Sequence, residues 1–163
     1  MNAGATISDG GLYRYRLWRS WGPGQRVLWV MLNPSTAGAE KDDPTIRKCI
    51  GFAQRWKYDG IEVVNLFALR STDPRDMVDS AEAGIDPVGP LNDEFIAKAR
   101  AESGPVIAAW GSFAWPAVAD RARVVSKLAG AMRALRLSKG GNPWHPLYVP
   151  YSACPLPWEP THA

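Results

Sequence analysis

Residues that build metal centres and disulfide frameworks are scarce in this sequence. Its 163 residues include two cysteines, Cys49 and Cys154, and two histidines. Two cysteines so far apart fit neither a zinc motif nor a disulfide framework. Cys49 falls on the apolar face of a predicted helix, where a buried free thiol is expected. We therefore expect no metal and no cofactor.

Long apolar runs are missing as well. No run approaches the roughly 20 residues of a membrane-spanning helix, and residues 1–11 lack the basic and apolar segments of a secretory signal. A chain of this length is typical of one domain with one core. We expect a single cytoplasmic domain over residues 1–163, monomeric and without a membrane partner.

Acidic residues are absent from residues 121–158, which contain six lysines or arginines, although the net charge of the chain is only +3. Such a basic segment favours an anionic partner, and double- or single-stranded DNA or a nucleotide would fit. A solvated helix face explains the same segment equally well. The sequence has no Walker loop and no GxGxxG motif for the phosphates of a nucleotide cofactor.

Segments of strand character alternate with segments of helical periodicity along the chain. The predicted strands are residues 27–32, 61–69, 105–110 and 145–149. The predicted helices run from Asp43-Pro44 to about residues 58–60, over 91–102, and from 111–112 to a break at 140–143, with a long polar loop over 70–90. This order predicts an α/β fold, a three-layer α/β/α sandwich around a central, mainly parallel four-stranded sheet.

The N-terminal region predicts one further strand. Residues 12–18 alternate apolar and basic side chains, which indicates a half-exposed strand. Gly22-Pro23-Gly24 follows and is typical of a turn. We expect this strand to form an antiparallel hairpin with residues 27–32.

Polar residues follow the ends of the predicted parallel strands. Asn33 comes directly after a buried strand, Asn65 lies within the next one, and Trp110 ends the third. Ligands of open α/β sheets bind outside the carboxyl ends of the strands. These residues, together with His145 in a later loop, are therefore expected to meet at one edge of the sheet.

Each of these residues has a functional and a structural interpretation. The Asn33 amide can accept a hydrogen bond from a water but cannot act as a base, or it can simply form an Asn-Pro turn. His145 can donate to a developing oxyanion, or cap a loop. Asn65 can recognise the polar edge of a ligand or hold the neighbouring loop. Ser35 and Thr36 can contact phosphate or satisfy loop amides.

Three aspartates suggest a different chemistry. Asp42, Asp43 and Asp73 have the oxygen ligands that a magnesium-dependent phosphoryl-transfer site would need. Asp43 is also a good N-cap in front of Pro44, and Asp73-Pro74 is typical of a turn.

Several motifs together resemble one known family. The sequence is similar to the domain of unknown function 1643 family over nearly its whole length, in Leu32-Asn33-Pro34-Ser35-Thr36, Asp42-Asp43-Pro44-Thr45, Val64-Asn65-Leu66-Phe67-Ala68, Trp110-Gly111 and His145-Pro146-Leu147-Tyr148. This resemblance implies no activity by itself.

The same motifs more distantly resemble the uracil-DNA glycosylase superfamily, whose mismatch-specific branch has a strand ending in Gly-x-Asn-Pro-Gly. This resemblance implies a uracil-DNA glycosylase-like fold, with Asn33 positioning the water, His145 stabilising the departing base and Leu147 inserted into the duplex as a wedge. It also implies base contacts from Leu32, Pro34, Ser35, Asn65, Phe52, Trp110 and Tyr148, and phosphate contacts from Ser35, Thr36 and Ser112. Trp56 and Tyr58 are further aromatic residues that can stack on a base.

The leading hypothesis is a DNA glycosylase that hydrolyses the N-glycosidic bond of a flipped-out uracil, mismatched or modified base in base-excision repair. The alternative is a catalytically inactive nucleotide- or nucleic-acid-binding module. Met31 and Leu147 favour this alternative because they replace a glycine and a serine of the glycosylase motifs. Metal-dependent phosphoryl transfer is the third hypothesis.

Overall fold

The computed structural model describes residues 1–35 and 39–160. Within these ranges one mixed seven-stranded sheet is accompanied by four α-helices. The strands are β1 (Asn2–Ile7), β2 (Arg14–Ser20), β3 (Arg26–Met31), β4 (Gly60–Asn65), β5 (Val106–Ala108), β6 (Met132–Ala134) and β7 (Leu156–Trp158). The helices are α1 (Pro44–Arg55), α2 (Arg75–Glu82), α3 (Asn92–Glu102) and α4 (Pro116–Ala129), with short 3-10 helices at Asp9–Gly11 and Pro146–Tyr148.

The centre of the sheet is parallel, as predicted for an α/β fold. The strand order is β1-β2-β4-β3-β5-β6-β7, in which β4, β3, β5 and β6 run parallel and the outer strands are antiparallel. Strand β3 is apolar on both faces because both are covered. Val27 and Trp29 pack with α1, whereas Leu28 and Val30 pack with α3 and α4. Helices therefore cover both faces of the parallel region.

The predicted hairpin partner is wrong. Strand β2 pairs with β1 and β4, and β4 separates β2 from β3. The N-terminal hairpin is thus β1 with β2. An apolar strand such as β3 is most stable in the middle of a parallel sheet, where both of its faces are buried, and this leaves the antiparallel position beside β4 to β2.

The expectation of a half-exposed strand over residues 12–18 is also wrong. Arg14 is 4 % exposed and Arg16 is 7 % exposed. Carboxylates from distant parts of the chain allow this burial: Arg16 pairs with Glu62 and Glu102, and Asp43 lies near Arg14. The alternation of basic and apolar residues therefore predicted a strand correctly, but the prediction that its basic side chains are exposed is wrong.

Three elements after residue 69 differ from the prediction. The helix expected to continue to residues 140–143 ends at Ala129, because Gly130 adopts a φ of 70° that favours glycine. The next residues form β6, which is the fourth parallel strand. Residues 146–148, within the predicted strand 145–149, form a 3-10 helix instead. The predicted loop over 70–90 contains α2.

None of the helices in the described ranges is both long enough and apolar enough to span a membrane.

Candidate functional site

A cavity of about 200 Å³ opens at the carboxyl edge of the parallel strands. After β3 the chain crosses to β4 on one side, and after β5 it crosses to β6 on the other side. Adjacent strands whose connections diverge in this way leave a crevice where ligands of α/β proteins bind. The cavity is lined by Arg14, Met31, Leu32, Asn33, Ser35, Asp43, Thr45, Ile46, Val63, Asn65, Pro74, Trp110 and His145.

Asn33 follows β3, and its side-chain amide has a defined orientation. Its Nδ2 donates to the Ser71 hydroxyl at 2.8 Å and to the carbonyl oxygens of Ser71 and Pro34, each at 3.3 Å. The Ser71 hydroxyl in turn donates to the carbonyl of Asp73, so it accepts from Asn33. Because carbonyl oxygens only accept hydrogen bonds, Nδ2 must face Ser71. The acceptor Oδ1 therefore points away from Ser71.

His145 precedes the 3-10 helix Pro146–Tyr148 and forms its N-cap. Its Nδ1 accepts from the backbone N–H of Leu147 at 3.2 Å. Burial lowers the pKa of His145, and the nearby Asp43 carboxylate opposes this shift. The ring is therefore neutral near pH 7, and a neutral ring that accepts at Nδ1 has its proton on Nε2. Nε2 is then available as a donor.

Asn65 is the last residue of β4 and lies beside Met31 of β3. It is 2 % exposed, and its side-chain amide lines the cavity without a hydrogen bond to another described residue. A buried amide is costly unless it is hydrogen-bonded, so a ligand or water in the cavity is its natural partner.

The loop after β4 is held by two residues that the sequence analysis did not single out. Asn92 donates from Nδ2 to the carbonyl of Asn65 at 3.0 Å, and Arg121 donates from Nε to the carbonyl of Leu66 at 2.7 Å. Arg121 also pairs with Asp93. Asn92 and Arg121 therefore hold this loop, a role that the sequence analysis gave as one interpretation of the Asn65 side chain.

Asp43 is the predicted N-cap of α1 and also lines the cavity. Its Oδ1 accepts from the backbone N–H of Ile46 at 2.8 Å, which makes it the predicted N-cap of α1. Its carboxylate also lines the cavity, with Oδ2 3.5 Å from the Ser35 hydroxyl. The helix start thus brings a negative charge to the cavity wall.

Arg14 is the cavity residue that sequence reasoning missed. It lies at the start of β2, and burial is the main cause that lowers its pKa to about 10, with Asp43 acting in the opposite direction. Arginine is still protonated at neutral pH at that value. The only sequence signal was a basic residue in an apolar strand, which alone does not indicate a binding site.

A second cavity of about 250 Å³ begins on the other side of His145. Ser112, Trp144 and Tyr148 are among its lining residues. Tyr148 is 72 % exposed and Leu147 is 39 % exposed, so both project at the surface beside His145. The proposed phosphate contact Ser112 and the proposed wedge Leu147 thus lie near the candidate site without lining the first cavity.

Two other predicted residues do not line the first cavity. Phe52 lies on the buried face of α1 and packs against Trp29, Trp56 and Tyr151. Pro34 contributes its carbonyl oxygen to the Asn33 side chain. Thr36 lies outside the described residues.

A larger cavity, of about 490 Å³, lies between the end of α4 and β7. It contains none of the predicted site residues, and Glu159 is its one ionisable lining residue in the described part of the chain. The smaller cavity, with its cluster of amide, imidazole, guanidinium and carboxylate groups, is therefore the better candidate. Within residues 1–35 and 39–160, no group of three or more His, Cys, Asp or Glu side chains is arranged to hold a metal ion.

The structure is that of an α/β protein with a polar cavity at the switch point of a parallel sheet. The family model for proteins of unknown function (DUF1643) matches residues 14–147, so the chain belongs to that family. The match begins at Arg14 and includes His145, so both of these cavity residues lie within it. No curated protein and no solved structure matches the chain.

Proposed function

We propose that the protein hydrolyses an N-glycosidic bond in DNA. The observation that supports this proposal is the presence of Asn33, Asn65 and His145 in the wall of one cavity at the carboxyl edge of the sheet. The resemblance of these motifs to the uracil-DNA glycosylase superfamily gives each residue its role. A volume of about 200 Å³ suits a single heterocyclic base, since pockets for drug-sized ligands are about 300–1,000 Å³.

In the proposed reaction the target nucleotide leaves the base stack and its base enters the cavity. Unpairing costs a few kcal/mol, which stacking and edge contacts in the cavity offset. Trp110 and Leu32 provide apolar contact, and the Asn65 amide offers one donor and one acceptor to the polar edge of the base.

Asn33 and His145 act on the two sides of the breaking bond. The C–N bond breaks with its electron pair remaining on the base, which leaves an oxocarbenium-like sugar and a base anion. Oδ1 of Asn33 holds the water that adds to the sugar, and Nε2–H of His145 donates to the anionic oxygen of the base. The proton that the water loses is taken up by the departed base, so that the products are an abasic sugar and a neutral base.

Phosphate contacts would come from Ser35, Ser112 and the basic residues near the His145 loop. Ser35 lines the first cavity and Ser112 lines the second. Each phosphate neutralised by a lysine or arginine releases counterions. We therefore expect the affinity for DNA to fall steeply as the salt concentration rises.

The test is a cleavage screen on duplexes and single strands that carry uracil, mismatches or modified bases, with alkaline strand scission to detect abasic sites. We expect cleavage of at least one substrate, insensitive to EDTA. Asn33→Ala should abolish cleavage and leave DNA binding nearly unchanged, because Oδ1 contacts the water and not the DNA backbone. Ser112→Ala is the matched control and should weaken binding more than it slows cleavage. An equal loss of binding and cleavage in Asn33→Ala would contradict its role.

A catalytically inactive binding module is the second candidate. The observation in its favour is Met31, whose side chain lines the cavity where the resembled glycosylase motif has a glycine. DNA or nucleotide binding without an abasic product on any substrate would support this candidate. Cleavage of a phosphodiester bond that requires magnesium and is lost in Asp42→Asn would instead support metal-dependent phosphoryl transfer.

A further inference from the structure

Arg14 reaches the cavity because strand β2 is irregular. Thr6 of β1 lies opposite Arg16, and the next residue, Ile7, lies opposite Arg14, so Tyr15 is an extra residue in the pairing. In a regular strand Arg14 and Arg16 would lie on the same face of the sheet. The bulge separates them: Arg16 pairs with Glu102 at the end of α3, and Arg14 lines the cavity with Ile46 of α1. Bulges of this kind commonly redirect a side chain next to an active site.

The surroundings of Arg14 keep a positive charge in the cavity wall. Asp43 is the carboxylate that acts on it most strongly, and Arg19 and Arg70 are the nearby cations. Asp43 also caps α1, and Asp42 beside it pairs with Arg19 at 2.7 Å. The neutral His145 adds no positive charge. Among the described residues that line the cavity, Arg14 is therefore the cation that a ligand meets.

We propose that Arg14 is a further catalytic and specificity-determining residue, whose guanidinium donates to a carbonyl oxygen of the base in the cavity. This inference rests on the proposed function, since it assigns the group that recognises the base at the same site. Guanidinium N–H groups only donate hydrogen bonds. They attract an oxygen acceptor and repel an amino group at the same position of the base.

The same contact strengthens as the glycosidic bond breaks. The electron pair of the C–N bond moves onto the base, and the negative charge is shared with its carbonyl oxygens. A fixed positive charge in the cavity wall stabilises this charge without reorganisation. Arg14 thus acts on the base in addition to His145, and neither residue has to transfer a proton.

The substrate class follows from the donor and acceptor pattern. Uracil and hypoxanthine present an oxygen where cytosine and adenine present an amino group. We expect the oxygen-bearing member of each pair to be preferred. Comparison within a pair isolates the Arg14 contact, because the two bases are otherwise nearly the same in size and shape.

The variants are Arg14→Met, which removes the charge and keeps much of the side-chain volume, and Arg14→Lys, which keeps the charge and loses the planar fork. Arg16→Lys is the matched control because Arg16 is equally buried on the same strand and does not line the cavity. Thermal unfolding shows whether each variant is folded. If Arg14→Met does not fold, the base preference of Arg14→Lys is compared with that of wild type instead.

Two readouts separate chemistry from recognition. The first is kcat for cleavage of duplexes that contain each base of the two pairs. The second is chemical-shift change in the ¹⁵N-labelled protein on titration with free uracil or cytosine. We expect Arg14→Met to lower kcat roughly 100-fold or more, as for loss of one oxyanion donor, and to abolish the preference for uracil over cytosine. Arg14→Lys should lie between wild type and Arg14→Met, and Arg16→Lys should keep the preference.

The outcomes distinguish the two proposals. Cleavage with an unchanged base preference in Arg14→Met would overturn the role of Arg14 and leave the glycosylase proposal intact. An Arg14-dependent preference for free uracil without cleavage of any duplex would support recognition by Arg14, overturn its catalytic part and contradict the proposed function. Absence of both cleavage and base binding would overturn both proposals.

Discussion

Arg14 and Arg16 lie on the same strand and are both buried, but the two faces of the sheet use them differently. On the α3 face Arg16 pairs with Glu62, which also accepts from Arg26 at 3.2 Å, and with Glu102 at 2.7 Å. On the α1 face Arg14 lies in a cavity wall near Asp43. We call the first cluster (Arg16, Arg26, Glu62, Glu102) the closed side and the second (Arg14, Asp43, His145) the open side.

The charge of Arg16 on the closed side stabilises the fold, whereas the charge of Arg14 on the open side lies where a ligand can reach it. Glu62 is fully buried and both of its oxygens are paired within the protein, so its charge is balanced without a ligand. The groups of the open side border about 200 Å³ of empty space. Substitutions on the closed side should therefore change stability, and those on the open side should mainly change activity.

The largest effect is expected on the closed side. Glu62→Gln removes the carboxylate that pairs with both Arg16 and Arg26, so that Arg26 loses this pair and the buried Arg16 keeps only its pair with the half-exposed Glu102. Loss of one partner of a buried pair costs about 3–5 kcal/mol. Denaturant unfolding should show this loss. Glu102→Gln is the control, because its side chain is 46 % exposed and exposed pairs contribute only about 0–1 kcal/mol.

Arg14→Met should destabilise the fold less than Glu62→Gln. Asp43 keeps its hydrogen bond from the Ile46 N–H and is partly exposed to solvent, so its carboxylate does not become an isolated buried charge. We expect a loss of about 1–2 kcal/mol in the free energy of unfolding. If Arg14→Met proved as destabilising as Glu62→Gln, the distinction between the two sides would be wrong.

Elements with local signals could be predicted from the sequence. The apolar run of β3 and the Asp43-Pro44 start of α1 depend on nearby residues, and both are confirmed. Cys49 is buried on α1 as expected. The position of the cavity could also be predicted, because the carboxyl ends of the strands in an open parallel sheet meet at one edge.

Features that depend on distant partners could not be predicted. Burial of Arg16 requires Glu62, which belongs to another strand, and the direction of Arg14 depends on a bulge against β1. Strand β6 is only three residues long, and the apolar residues around it continue the helical spacing of α4. Its backbone pairing with β5 overrides this local preference.

Asp43 lies on the open side and also caps α1, and two variants separate these roles. Asp43→Ala loses the cap, whereas Asp43→Asn keeps a good one. Both variants remove the carboxylate near the buried Arg14, so the cap is measured by the difference in stability between them, which should be about 1 kcal/mol. Both variants remove the charge that raises the pKa of His145, so this pKa should fall in both. NMR titration of the His145 ring measures the shift, and an unchanged pKa would show that Asp43 does not act on His145.

The smallest effect is the pH dependence that His145 adds on the open side. Burial lowers its pKa in the folded protein, whereas the unfolded ring titrates near 6.5. Above about pH 6.5 the ring is neutral in both states and stability does not change. As the pH falls from about 6.5 to the folded pKa, the unfolded state binds the proton first, so the free energy of unfolding decreases. Wild type should therefore lose more stability between about pH 7.5 and 5.5 than His145→Gln. Equal losses would mean that the ring is solvated in the folded protein. Burial would then no longer be a reason to expect a neutral ring with its proton on Nε2.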